Sequence, residues 1–325
     1  QSGTPAVVDG KVYILGAGLQ ARCIDAETGE SLWTTQLPGE FRDEFWQSSF
    51  AVHDGVAVVF ARKLYGLNAE TGKVLWSAGE DGGTLHTSPT IWQRPKGSQA
   101  ISNIGGGKTI GVDLHTGETS WEIETMAGHS TPIVTGDLLL TYGSSRKAGL
   151  RCFQLQPDGP PAEKWVFQGA ADSGSSPVVA GDYVFVQGER RMACVELATG
   201  DEVWRTTLDL ERPRYASPIA ADGKVFYAFS NVICFSADSE RFQALMNGKI
   251  DADGLLAEEA VFRKRLGMDE LETTAAGQAE AEKLWRKTFN DAGPLTCATP
   301  AIADGRIFFR LKDRLACYDL RAAGK

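Results

Sequence analysis

The sequence predicts an all-β fold in which seven small antiparallel sheets stand around an axis as the blades of a β-propeller, and three observations predict it. A Ser-Pro or Thr-Pro pair returns about every 40 residues, a two-residue turn follows it, and a Thr-Gly-x-x-x-Trp segment ends the unit. The pairs are Thr4-Pro5, Ser88-Pro89, Thr131-Pro132, Ser176-Pro177, Ser217-Pro218 and Thr299-Pro300, with Ser49-Phe50 in the second unit.

Each element has a local reason. Six units place Asp-Gly or Gly-Asp next: Asp9-Gly10, Asp54-Gly55, Gly136-Asp137, Gly181-Asp182, Asp222-Gly223 and Asp304-Gly305. Such pairs accept the positive φ of a tight hairpin. The runs that follow, such as Val56 to Phe60 and Tyr183 to Val186, are β-branched or aromatic and read as strands. A further strand then ends at Asp25, Asn68, Asp113 or Glu196, where a short polar side chain can cap the turn. After the caps come Thr28-Gly29, Thr71-Gly72, Thr116-Gly117 and Thr199-Gly200, and then Trp33, Trp76, Trp121 and Trp204 on the outer strand. Trp165 and Trp285 are read as the same position in units four and six. Four strands per unit and seven units give one propeller domain over residues 1–325.

Two units depart from the pattern. Trp204 and Trp285 stand 81 residues apart, against 43, 45, 44 and 39 for the earlier intervals. Residues 238–283, with Phe242, Leu245, Met246, Leu256, Val261, Phe262 and Leu266 at helix-like spacing, are read as a helical insertion in blade six that decorates one end of the propeller. Unit seven stops after Asp319, before its outer strand. The expectation is that upstream residues supply that strand, a signal peptide or both, and an eighth blade is open for the full-length protein.

Composition narrows the function. Lys and Arg number 33 against 42 Asp and Glu, a net charge of −9 that offers nucleic acid no basic surface. No apolar run approaches the ~18 residues of a membrane helix. The six cysteines do not read as a disulfide framework: Cys23, Cys152, Cys194, Cys234 and Cys317 recur at one place per blade, too far apart to bridge. The stretch Ser102 to Thr109 imitates a phosphate loop but runs into strand register rather than a helix. Asp251 and Asp253 suggest an EF-hand loop, yet its first and twelfth positions fall on Lys249 and Ala260. No metal site and no catalytic constellation is assigned.

The candidate site comes from the repeat itself. The residue three before each strand-opening Pro should face one mouth of the central channel: Ser2, Gln47, His86, His129, Gly174, Tyr215 and Cys297. His86 and His129 lie in adjacent blades and are expected to converge; imidazole can bind metal or bond carbonyls and water, and the latter is expected here. Trp46, Arg212 and Arg214 enter the same strands and carry side chains favoured in protein interfaces.

The pattern Ser/Thr-Pro, Asp-Gly-Lys-Val-Tyr, Asp-Ala-x-Thr-Gly-x-x-Leu-Trp resembles the PQQ-like propeller repeat with its tryptophan-docking motif, over nearly the whole chain. The resemblance implies the fold and two kinds of relative: BamB-like proteins of outer-membrane assembly, which are not enzymes, and pyrroloquinoline-quinone dehydrogenases. The expectation is an exported, periplasmic, non-catalytic scaffold for a protein partner, with no cofactor. The alternatives are a dehydrogenase holding pyrroloquinoline quinone with calcium, and a polysaccharide or small-ligand binder stacking on Trp46, Tyr215 and Trp92. No two cysteines are adjacent, so the neighbouring-cysteine disulfide of some quinone dehydrogenases has no counterpart.

Overall fold

A computed structural model describes residues 3–39, 48–80, 86–208, 210, 215–238, 240–290, 292–295 and 298–321. It is a seven-bladed propeller of antiparallel sheets, each blade formed by strands consecutive in sequence. Blade one is typical: β1 (Ala6–Val8), β2 (Lys11–Gly16), β3 (Gln20–Asp25) and β4 (Ser31–Gln36) pair in that order. Its first hairpin turns at Asp9 and Gly10 with φ of 49° and 72°, the positive pair that a type I′ turn requires.

The turn between third and fourth strands is capped as its sequence suggests. Asp25 Oδ1 accepts from the backbone N–H groups of Glu27 (3.0 Å) and Thr28 (2.7 Å) and from the Thr28 hydroxyl (2.9 Å). Asn68 repeats this arrangement in blade two. The indole that follows ties blades together. Trp33 Nε1 donates to Ala69 O of blade two at 3.0 Å, Trp76 to Leu114 O of blade three at 2.9 Å, and Trp165 to Leu197 O of blade five at 3.0 Å. Each ring lies on the next blade's turn glycine: a Cβ on Gly72, Gly117 or Gly200 would stand 2.5–2.6 Å from Trp33, Trp76 or Trp165.

Inside a blade, the Trp faces the small residue of the third strand. The register pairs Cys23 with Trp33, Gly66 with Trp76, Gly111 with Trp121, Cys152 with Trp165 and Cys194 with Trp204, and the ladder slips by one residue just after each pair. This bulge leaves Leu32 and Leu75 unpaired and exposed. The cysteine positions are therefore set by packing under the indole. Cys23, Cys152, Cys194 and Cys234 are buried free thiols, and burial pushes Cys152 up to about 11 and Cys194 up to about 12. Six apolar clusters fill the spaces from blades one and two through blades six and seven.

Blade six corrects the sequence reading of Trp285. Its outer strand, β5 (Ala244–Ile250), follows soon after the third strand Val232–Ser236 and pairs Met246, not Trp285, with Cys234. A fifth strand, Leu256–Glu258, pairs on the outside. The helical insertion comes after these strands as α1 (Glu259–Leu266), α2 (Met268–Leu271) and α3 (Ala275–Phe289), so its helices lie over 259–289 rather than 238–283. Phe242, Leu245 and Met246 misled because a three-to-four spacing also arises in a strand entered through a bulge; from Met246 to Ile250 the burial alternates every second residue. Trp285 is helical, with its ring 4.6 Å from Phe289. Asp251, buried in the turn before the fifth strand, is ion-paired with Arg265 of α1 at 2.9 Å.

Candidate functional site at the channel mouth

The Ser/Thr at the Ser/Thr-Pro register links one blade to the next. The residue before proline is held extended, and its N–H donates to the hydroxyl of the equivalent residue one blade on. Thr4 N–H reaches Ser49 Oγ (2.9 Å), Ser49 reaches Ser88 (2.9 Å), Ser88 reaches Thr131 (3.3 Å), Thr131 reaches Ser176 (2.8 Å) and Ser176 reaches Ser217 (2.9 Å). This belt joins blades one to six. Sequence reasoning used the Ser/Thr only as a marker; its recurrence at one register was the available sign of a bond between blades.

Above the belt, three residues of the expected ring come together. The imidazoles of His86 and His129 lie 4.9 Å apart between centroids, and the Tyr215 ring stands edge-on to both at 6.1 Å. The backbone N–H of His86 donates to His129 Nδ1 at 3.1 Å, which leaves the His129 proton on Nε2. Burial lowers the pKa of both imidazoles, and the neighbouring His129 lowers that of His86 further, so both are neutral at pH 7.

Tyr215 belongs to blade six but reaches blades three and four by crossing blade five. It does so over Gly174, where a Cβ would stand 2.1 Å from the tyrosine Cδ1. Its own backbone is left-handed, with φ of 60°, an uncommon and strained state for a residue with a side chain. Asp172 holds this crossing together: its Oδ1 accepts from the N–H groups of Gly174 (2.9 Å), Ser175 (2.7 Å) and Tyr215 (3.4 Å). Asp172 escaped the sequence reading, although an Asp two residues before Gly in a Ser-rich entry segment is a sign of an Asx turn.

Buried polar groups lie behind the rim. The Tyr142 hydroxyl donates to Gln187 O at 2.9 Å, while the amide of Gln187, the hydroxyl of Tyr227 and that of Ser175 are fully buried without a partner among the described residues. Of the other sequence candidates, Ser2, Gln47, Cys297, Trp46, Arg212 and Arg214 lie outside the described residues. Trp92 is no stacking surface: it is 3% exposed, donates to Asp137 Oδ1 at 3.0 Å and lies under the Arg94 guanidinium. The segment Ser102 to Thr109 is a β-hairpin turning through a single 3-10 turn at Gly105–Gly107, and a strand rather than an α-helix follows it.

The site offers two neutral imidazoles, a phenol and one carboxylate oxygen already shared by three N–H groups. That is an aromatic, hydrogen-bonding ledge on a stiff frame. Calcium needs six to eight oxygen ligands, and no group of three or more His, Cys, Asp and Glu that could hold a metal occurs among the described residues. The described donor set does not fit a quinone site built on calcium.

Tandem four-stranded blades, sewn together by an indole on the next blade's Thr-Gly turn, define the class: a seven-bladed repeat propeller. The sequence profile of one family, described as outer membrane protein assembly factor BamB, matches residues 1–206 and, overlapping, 159–250. The chain belongs to this PQQ-like repeat family. It is 24% identical over 224 residues to outer membrane protein assembly factor BamB of Shewanella oneidensis, a match covering 62% of this chain and 55% of that protein. It is also 27% identical over 147 residues to quinoprotein alcohol dehydrogenase PedH of Pseudomonas putida, covering 40% of this chain and 24% of that protein. These matches span only a quarter to just over half of the relatives' own lengths. The crystal structure of BamB from Moraxella catarrhalis superposes with a TM-score of 0.65 and 13% identity, over 97% of this chain and 81% of that one, a likeness of fold.

Proposed function

We propose that this protein is an exported, non-catalytic propeller that binds a protein partner through the loops of its channel mouth. The family match across residues 1–250 carries the reading, since BamB proteins are named as assembly factors. The ledge supports it: three half-buried rings from three blades give a rigid surface that loses little conformational freedom on binding.

Photo-crosslinking tests it. A benzophenone amino acid at Tyr215 or His129, in cells of the source organism, should give a discrete protein adduct, and the same group at Leu32, 47% exposed on an outer strand, should not. In the non-crosslinking protein, Tyr215→Ala should weaken capture of that partner at least about tenfold, as loss of a hot-spot residue does. Adducts no stronger at the mouth than at Leu32 would argue against the reading. The second reading, a quinone-dependent dehydrogenase, is favoured by the PedH match, while the donor set among the described residues offers no group of three metal ligands.

A further inference from the structure

We propose that the helices between blades six and seven form a docking groove for an arginine side chain presented by an extended segment of a partner protein. The proposal rests on the protein-binding reading above and names a second surface for it, with the chemistry that its occupant must carry.

A groove of about 580 Å³ is lined by side chains of α1, α2 and α3. Helical spacing sets its walls: Glu259 and Arg263 stand four residues apart on α1, and Gln278, Glu282 and Trp285 share one face of α3. Met268 of α2, 3% exposed, lies at its base. Packing fixes this frame without an occupant. A Cβ on Gly277 would stand 1.9 Å from Leu271 O, so α3 meets the end of α2 in close backbone contact. The Phe262 and Phe289 rings meet edge-on at 5.0 Å and tie α1 to α3. The N–H of Ala252, in the turn of blade six, donates to Thr288 O of α3 at 3.2 Å. A pocket formed before binding spends little of its binding energy on ordering.

The lining selects a cation. The carboxylates of Glu259, Glu272 and Glu282 face one guanidinium, and that guanidinium is committed: Arg263 donates to Asp269 Oδ1 at 2.7 Å and to Glu272 Oε2 at 2.6 Å. Glu259 makes no ion pair among the described residues. Glu282 is paired with Arg286 one helical turn away, an exposed contact that an incoming cation can replace at little cost. Half-buried Trp285 adds an aromatic wall. A cation is attracted to an indole face, and the methylene stem behind it can lie on Met268 and the ring. Arginine suits the groove better than lysine, because its planar guanidinium stacks on an aromatic ring while its N–H fork reaches carboxylates.

The size of the groove favours a protein-borne arginine over a free cation. Its volume is that of a site enclosing a whole small ligand, more than one side chain fills, so the residues flanking the arginine occupy the rest. Glu259, Gln278 and Glu282 at its edges are exposed, which lets a chain pass across the top. Gln278 Nε2 donates to Glu272 O at 3.3 Å, and its amide oxygen is placed to accept from a backbone N–H of that chain.

The test uses the intact protein labelled with fluorotryptophan and followed by fluorine NMR, with a Trp285→Phe variant assigning one of the eight tryptophan signals to Trp285. An acetylated, amidated peptide, Ala-Leu-Arg-Leu-Ala, is titrated in. The proposal expects a saturable shift of the Trp285 signal, and binding at least about tenfold weaker when citrulline, equal in shape but uncharged, replaces the arginine. Glu259→Lys should also weaken binding at least about tenfold by placing like charges together. Residue 259 is exposed in the first turn of α1, so this variant should fold, and unchanged positions of the other tryptophan signals would report that it does. Acetyl-arginine amide, the same cation without its neighbours, should bind at least about tenfold more weakly than the peptide. No saturable shift, equal binding of the citrulline peptide, or full affinity in Glu259→Lys would each overturn the groove as an arginine site. Equal affinity for acetyl-arginine amide would overturn a protein segment as its occupant. None of these results touches the mouth adducts at Tyr215 and His129, so the scaffold reading would stand or fall separately.

Discussion

Trp76→Ala is expected to destabilise the protein by about 3–5 kcal/mol, the range for removing a large buried aromatic side chain. The indole is 7% exposed, packs under blade three's Thr-Gly turn and donates to Leu114 O, so truncation opens a cavity between blades and leaves a buried carbonyl without its donor. Trp76→Phe keeps part of the volume and should lose less, with the missing hydrogen bond contributing about 1 kcal/mol of its cost. Urea denaturation followed by far-ultraviolet circular dichroism measures both. A Trp76→Ala loss below about 0.5 kcal/mol, the size of an ordinary exposed substitution, would mean that the blades are not held together by these indoles.

Gly117→Val should be comparably damaging from the opposite side of the same contact. Its φ of 73° lies in the left-handed region, where a β-branched residue is strained by about 1–3 kcal/mol. A Cβ there would also stand 2.6 Å from Trp76 Cγ, and overpacking of a rigid ring adds about 1–3 kcal/mol. The two substitutions share one contact and should not add: in the Trp76→Ala background the ring is gone, and Gly117→Val should retain only its backbone strain. Equal losses in the two backgrounds would show that ring and glycine do not touch.

Much of the fold was legible because its devices are local and repeat. Asp25, Thr28, Gly29 and Trp33 cap, turn and pack within nine residues, and the same spacing recurs in blades two, three and five. Blade six departs from the sequence pattern where the device changes chemistry: Met246 replaces the indole opposite Cys234, and the next tryptophan in the chain, Trp285, lies in α3. The convergence of His86, His129 and Tyr215 followed from one register position applied to every blade. What escaped was what register alone does not encode. Tyr215 crosses blade five only because residue 174 is a glycine and Asp172 pins its backbone, and the hydroxyl belt exists only between blades.

The most direct measurement on the non-catalytic reading is a titration of the purified protein with pyrroloquinoline quinone in the presence of calcium, followed by intrinsic tryptophan fluorescence and calorimetry. A non-catalytic scaffold in which His86, His129 and Tyr215 form an aromatic cluster should give a flat titration, with no saturable heat and no calcium-dependent quenching. Stoichiometric, calcium-dependent binding would contradict it and make the protein a quinone enzyme whose substrate has to be sought.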